Sequence, residues 1–363
     1  MDIVMGVGRR RPKRYNKLHF VNEGRFAAVY KAKEENSDRI VAVKKVRVGN
    51  RQESKDGLNR TALREVKLLR EVEHPNICRL LDVFGKRSEI CLVFEYLEFD
   101  LDAVLMDQSI VITPAIVKNY MAQLLCGLRF LHAHFIIHRD LKPNNLMMNS
   151  EGVLKICDFG LARRFGSPDR PLTSQVVTRW YRPPELLFGA NSYGAGVDMW
   201  AVGCIFSQLF TRAPIFPGES DLSQLDHIFS LIGPPSDDSS SERYWPDAKI
   251  LPGFVNYAGP TTNVPVLEKL KAQLPAVSND AVELLALFLK LNPNGRPSAG
   301  EAIDHKYFSM PPQPAAARAL PKPQAQSNVP AGMDKHAFSF SLMDSSPAIV
   351  DGFELKKAKI RKQ

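Results

Sequence analysis

The sequence predicts an α+β protein folded as two lobes, a β-rich first lobe with one main helix and a mainly helical second lobe. Length is one reason, since 363 residues exceed what one small core needs. The change of apolar period is the other. Short runs of strand type crowd the first hundred residues, and after Asp100 apolar residues recur every three or four positions. This reading divides the chain into a basic arm (1–13), a first lobe (14–97), a second lobe (98–308) and a mostly disordered tail (309–363).

The arm carries Arg9-Arg10-Arg11-Pro12-Lys13 and reads as solvated. From Tyr15 to Val48 the pattern is strand-like, with Val29-Tyr30 after a glycine turn and a covered run Ile40-Val41-Ala42-Val43. Residues 59–73 take helical spacing through Leu63, Val66, Leu69 and Val72, and His74-Pro75-Asn76 ends them. Leu80 to Phe84 and Ile90 to Phe94 read as two more strands. Thr113-Pro114 is a helix start, because the hydroxyl can cap free N–H groups and proline at the first position loses nothing. Ile116, Tyr120, Leu124, Leu128 and Leu131 follow as one buried stripe. Residues 197–211 are apolar on most faces, as in a helix inside a lobe. Residues 234–243, Pro-Pro-Ser-Asp-Asp-Ser-Ser-Ser-Glu-Arg, read as a loop open to disorder. From Ser309 Pro, Ala, Ser and Gln dominate, up to a basic end at Lys356 to Lys362.

Lys+Arg 48 against Asp+Glu 39 gives a net charge of +9. Sequence-specific nucleic-acid binding is one source of such a balance; acidic partners plus two basic ends are the one we favour. Cys78, Cys91, Cys126, Cys157 and Cys204 contain no Cys-x-x-Cys pair, which indicates neither a zinc site nor a disulfide frame and fits a reducing compartment. Met1 to Arg14 has no apolar run of signal-peptide length. The longest apolar stretch, Met199 to Phe210, is broken by Gly203, Ser207 and Gln208 and falls short of the roughly 20 residues of a membrane span. A soluble protein with no membrane partner is expected.

The chemistry lies in His138-Arg139-Asp140-Leu141-Lys142-Pro143-Asn144-Asn145 and Asp158-Phe159-Gly160. Phosphoryl transfer to a hydroxyl needs an acid to take or orient the hydroxyl proton (Asp140). It needs a cation at the γ-phosphate (Lys142) and oxygen ligands for magnesium (Asn145, Asp158). With these motifs the chain resembles the eukaryotic protein kinases, which implies a bilobal kinase fold using ATP and Mg2+, and Lys142 marks the serine/threonine branch. A silent relative that keeps the fold as a cyclin-binding scaffold is the reading outside enzymes.

The kinase pattern wants three glycines over the phosphates. This chain has Asn22-Glu23-Gly24-Arg25-Phe26-Ala27-Ala28-Val29, with only the central glycine, which puts nucleotide affinity in question. Val41-Ala42-Val43-Lys44 presents Lys44 to the cleft, and Glu65 in the one helix of the first lobe is its implied partner. Phe94 then gates the adenine pocket, and the backbones of Glu95 and Leu97 bond the adenine edge. Asn22, Gly24, Val29, Ala42, Asp100 and Asn145 complete the implied nucleotide-binding set.

Asn59-Arg60-Thr61-Ala62-Leu63-Arg64-Glu65, Val176-Val177-Thr178-Arg179-Trp180-Tyr181-Arg182 and Asp198-Met199-Trp200-Ala201-Val202-Gly203-Cys204 are similar to the cyclin-dependent kinases, most of all their CDK-activating branch. The likeness runs from about Tyr15 to Phe308, and Pro183 stands where most kinases have Ala. It implies a cyclin partner (H-type), a RING-finger assembly factor, transcription factor IIH, and a nuclear location with cytoplasmic presence allowed. The implied substrates are the RNA polymerase II tail and the activation loops of other cyclin-dependent kinases. Another transcriptional or cell-cycle member of the family is the alternative. Val176, Val177 and Arg182 sit where the family shapes a pocket for proline after the phosphoacceptor.

The resemblance also implies two modification sites in the activation loop. Thr173 would be read by Arg64, Arg139 and Arg163, while Ser167-Pro168 suits a proline-directed kinase. Mitogen-activated kinases carry Thr-x-Tyr here, unlike Thr173-Ser174-Gln175. Arg25-Phe26 replaces the inhibitory Thr-Tyr pair of cell-cycle kinases. Glu185 is expected to pair with Arg296, Asp198 to hold the catalytic-loop backbone, and Cys157 to be a buried, inert thiol.

Overall fold

The computed structural model describes residues 15–23, 27–35, 37–47, 66–86, 89–166, 172–173, 177–257, 259 and 264–323. The basic arm, Gly24, Arg64, Glu65, Ser167, Val176 and residues from 324 onward lie outside the described residues.

Five antiparallel strands form the first lobe in the order β1 (Tyr15–Glu23), β2 (Ala27–Glu34), β3 (Ile40–Arg47), β5 (Glu89–Glu95), β4 (Leu80–Lys86). Successive side chains of a strand point to opposite faces. Ala32, Val41, Val43, Cys91 and Val93 therefore share one face, packed by Tyr15, Leu81 and Phe84, with the Tyr15 and Phe84 rings stacked at 5.7 Å. Val29, Ala42, Lys44 and Phe94 share the other, fixed by the pairings Val29↔Lys44 and Ala42↔Phe94. Side chains pack on both faces, so Ile40 to Val43 reads as a continuous run rather than an alternation. Residues 66–70 are helical, and Leu68, Leu69 and Val72 are buried in the main core.

The second lobe is built on two helices. In Pro114–Ala133 the Thr113 hydroxyl accepts from Ile116 N–H (3.4 Å) and Pro114 takes the first position, as expected. Tyr120, Leu124, Leu128 and Leu131 are buried as the stripe predicts, joined by Val117, Met121 and Leu125, whereas Ile116 is only partly buried. Gly196–Thr211 is buried on nearly all sides and carries Asp198 into the lobe.

Two expectations need correction. The 234–243 loop is held by its own polar groups: the Asp238 carboxylate accepts from the Ser240 N–H (2.9 Å) and hydroxyl (2.8 Å), and Ser236 pairs with Arg243 and Trp245 through the backbone. Residues 310–323, assigned by composition to a tail, are packed on the second lobe, with Leu320 only 4% exposed. Composition reports polarity, and here backbone hydrogen bonds and one leucine decide the outcome.

Candidate active site

Asp198 organises the catalytic loop from the buried helix, accepting from the backbone N–H groups of His138 (2.9 Å) and Arg139 (2.9 Å) and from His132 Nε2 (2.9 Å). Burial opposes its charge, yet these bonds hold its carboxyl below the usual range. Arg139 takes a positive φ of 69°, a conformation that needs such support in a residue with a Cβ. His138 accepts from Asp140 N–H at Nδ1 (3.3 Å) and so donates from Nε2 to the Cys157 carbonyl (2.9 Å). Its ring meets that of buried Phe159 edge-on at 5.1 Å, which joins the loop to Asp158-Phe159-Gly160.

Asp140 is the centre of the constellation. Its Oδ1 accepts from the Thr178 hydroxyl (3.0 Å) and N–H (3.2 Å), and its Oδ2 meets Asn145 Nδ2 (3.0 Å) and Lys142 Nζ (3.1 Å). Lys142 also donates to the Thr178 hydroxyl (3.0 Å). A carboxylate fixed from both sides beside an ammonium can orient a hydroxyl and receive its proton while the ammonium steadies a phosphate. Sequence reading did not single out Thr178, which lies 38 residues from Asp140; its place inside Val-Val-Thr-Arg-Trp-Tyr-Arg was the available signal.

Lys44 Nζ lies 2.9 Å from Asp158 Oδ1; Glu65, its expected partner, is outside the described residues. The Lys44 charge beside it is the main reason that the Asp158 carboxyl sits far below the usual range. Asp158 (φ 62°) and Asn145 supply hard oxygen donors, the kind that magnesium takes together with substrate phosphates.

At the hinge, Phe94, Leu97, Cys78, Cys157 and Met147 form one apolar cluster. The Glu95 N–H donates to the Arg79 carbonyl (3.2 Å), and the Glu95 carboxylate accepts from Arg79 N–H (2.7 Å) and pairs with Lys155 (2.9 Å). All five cysteines are free, and burial raises the Cys157 thiol well above its ordinary value, as expected for an inert group. Asn22, next to last in β1, pairs with Val29.

Asp100 caps the helix Leu101–Met106 by accepting from Ala103 N–H (2.8 Å), and burial pushes its carboxyl up to about 6. An elevated carboxylate is ionised, and a full acceptor, only above that value. On the nucleotide-binding role that the resemblance implies for Asp100, adenosine, which lacks titrating phosphates, is expected to bind more weakly as pH falls from 7 to 5, with Asp100→Asn flattening the profile; an equally steep profile in the variant would refute that role. The stability contribution has the opposite sense: the native state holds the proton more tightly than the unfolded chain, so that stabilisation is complete below about 4 and is lost as pH rises through about 6.

Thr173 is exposed, and its carbonyl accepts from the Tyr193 hydroxyl (2.6 Å), which in turn accepts from Arg139 Nη1 (2.7 Å). One of the three expected arginines is thus linked to Thr173 through a tyrosine absent from the sequence reading. Arg163 donates to the Ala162 carbonyl (2.9 Å), and Arg64 is outside the described residues. Val177 has a φ of 67°, and its carbonyl accepts from Arg182 Nε (3.2 Å) and Nη2 (3.0 Å). Arg182 Nη1 reaches Asp221 (3.1 Å). The expected Glu185–Arg296 pair is bidentate (2.7 and 2.8 Å) and buried.

The protein kinase domain family matches residues 15–308. Cyclin-dependent kinase 7 of Xenopus laevis is 51% identical over 87% of this chain and 87% of its own length. Cyclin-dependent kinase 7 of Caenorhabditis elegans is 46% identical over 86% of this chain and 92% of its own. A chain in the structure of the CAK complex from Chaetomium thermophilum bound to ATP-gamma-S superposes with a TM-score of 0.78 at 38% identity, covering 85% of this chain and 95% of that one. Those relatives bear out the CDK-activating resemblance, and the bilobal kinase fold and ATP use follow. The chain belongs to the protein kinase family, as a serine/threonine kinase among the cyclin-dependent kinases and of the cyclin-dependent kinase 7 type.

Proposed function

We propose that the chain is the kinase subunit of a cyclin-containing complex. In this reading it phosphorylates Ser or Thr followed by Pro in the RNA polymerase II tail, and activation-loop threonines of other cyclin-dependent kinases. The carrying observation is the Asp140–Thr178–Lys142–Asn145 constellation beside a Val177 carbonyl already engaged by Arg182. An incoming residue with a backbone N–H would meet no free acceptor at that carbonyl, and proline has no N–H to leave unpaired. Activation-loop threonines that lack the proline would be reached through docking.

Asp140 takes the hydroxyl proton, Lys142 and Lys44 hold phosphates, and Glu65 seats Lys44. Asn22, Gly24, Val29, Ala42, Phe94, Glu95, Leu97 and Asp100 line the nucleotide. Asn145 and Asp158 would hold magnesium, which would supply positive charge to offset that of the nucleotide phosphates. The partners are an H-type cyclin, a RING-finger assembly factor and transcription factor IIH, and the location is nuclear. Phosphates on Thr173 and Ser167 regulate the loop, with Arg64, Arg139 and Arg163 receiving the first.

The test assays purified chain, with and without candidate cyclins, on a polymerase-tail peptide and on an unphosphorylated cyclin-dependent kinase. Cyclin-dependent turnover of both is expected, with Ser-Pro peptides favoured over Ser-Ala peptides. Thr173→Ala is expected to weaken the bare kinase–cyclin pair, and an assembly factor to rescue much of the loss. Equal turnover of the two peptides, or activity on neither protein, would sink the reading.

A further inference from the structure

Behind the phosphoryl-transfer site, the helix Pro114–Ala133 carries a polar side chain that the chemistry does not use. Gln123 is bonded at both ends of its amide. Its Oε1 accepts from Asn76 Nδ2 (3.1 Å) and Leu154 N–H (2.8 Å), and its Nε2 donates to Asn119 Oδ1 (2.6 Å) and the Gly152 carbonyl (3.1 Å). All four hydrogen-bonding positions are in use. The orientation is forced, because a backbone N–H can only donate and a backbone carbonyl can only accept.

The chain of bonds continues in both directions. Forward, Asn76 Nδ2 also donates to the Leu154 carbonyl (2.9 Å), and the Asn76 carbonyl accepts from Ile156 N–H (2.9 Å). The Ile156 carbonyl accepts from Cys78 N–H (2.9 Å), at the floor of the hinge cluster. Next in sequence come Cys157, whose N–H meets the Asn145 carbonyl (2.8 Å), and Asp158 itself. Backward, Asn119 Nδ2 donates to the Ala315 carbonyl (2.7 Å), Ala315 N–H donates to the Ala115 carbonyl (2.9 Å), and Lys118 donates to the Met310 carbonyl. Leu320 anchors the segment in the main core. At Gly152 a Cβ would come within 1.9 Å of the Ala317 carbonyl, so only glycine lets the segment lie there.

We propose that residues 310–320 form a positioning element of the nucleotide site. They act through Asn119 and Gln123 on Asn76 and the strand Leu154–Ile156, so that their seating sets how tightly ATP is held. Asn76 is buried and Asn119 and Gln123 are half-buried, so a broken link leaves amide groups partly shielded from water and short of a partner, which lets the relay pass a local change along its length. Residues 310–320 need make no contact with ATP.

The test uses the full chain with its cyclin. Asn119→Asp keeps an oxygen for Gln123 but turns a carboxylate oxygen toward the Ala315 carbonyl, so it detaches the segment alone. Leu320→Ala loosens the anchor at a distance from the relay. Each variant is expected to raise KM for ATP by about threefold to tenfold with kcat held within about twofold. Each should also speed amide hydrogen exchange over residues 74–78 and 154–158. Added to Gln123→Ala, Asn119→Asp should change KM by less than about twofold, because the link is already cut. Unchanged KM in variants whose Tm has fallen would overturn the proposal, leaving the segment a clasp on the lobe. Multiplication of the two KM effects in the double variant would overturn it as well.

Discussion

Asp140→Asn is expected to lower kcat about 10²–10⁴-fold while leaving cyclin association largely intact. The substitution removes the carboxylate that touches Thr178, Lys142 and Asn145 together. It also places an amide N–H₂ where an acceptor faces the Lys142 ammonium, or else where one faces Thr178, so neither rotamer restores the wild-type set. Lys44→Met should likewise abolish transfer, because it removes the cation paired with Asp158 at 2.9 Å and proposed to hold the phosphates. Single-turnover phosphorylation and cyclin pull-down on the same preparations separate chemistry from assembly. Wild-type turnover in both variants would remove Asp140 and Lys44 from the mechanism.

The largest stability effect is expected at the base of the activation segment. Arg296, its side chain 0% exposed, meets Glu185 with two bonds and also donates to the carbonyls of Gly196, Lys290 and Leu291. Glu185→Ala leaves that guanidinium buried without its counter-charge, a loss of about 3–5 kcal/mol. Arg296→Met in the same chain should recover part of it, since two well-packed apolar groups bury no charge. Urea unfolding of the single and double variants measures both numbers. A single variant within about 1 kcal/mol of wild type would show that the pair is solvated in solution. Activity should fall with stability, because Glu185 lies in the first turn of the helix Pro184–Leu187, directly after the segment bearing Val177 and Arg182.

Much of the fold was legible because it is local. The start of the helix Pro114–Ala133 rests on Thr113 and Pro114, its buried stripe on a period of 3.6, and β3 on a run of apolar residues. Asp140, Lys142 and Asn145 sit within six residues of one loop, so their spacing alone implied their meeting. Glu185–Arg296 and Asp198 were legible for another reason: the resemblance supplied partners that no spacing could.

Sequence by itself singled out the groups proposed for phosphoryl transfer: an acid, two lysines, an asparagine and a second aspartate in the right order. Only tertiary structure decided their neighbours. Thr178 reaches Asp140 across 38 residues, Tyr193 stands between Arg139 and Thr173, and Lys44 meets Asp158 from the other lobe. It also decided that residues 310–323 belong to the second lobe, although their composition matches a solvated tail. The reason is physical. Propensity and period act over a few residues, whereas a buried hydrogen bond or one sheltered leucine gains its free energy from whatever distant chain covers it.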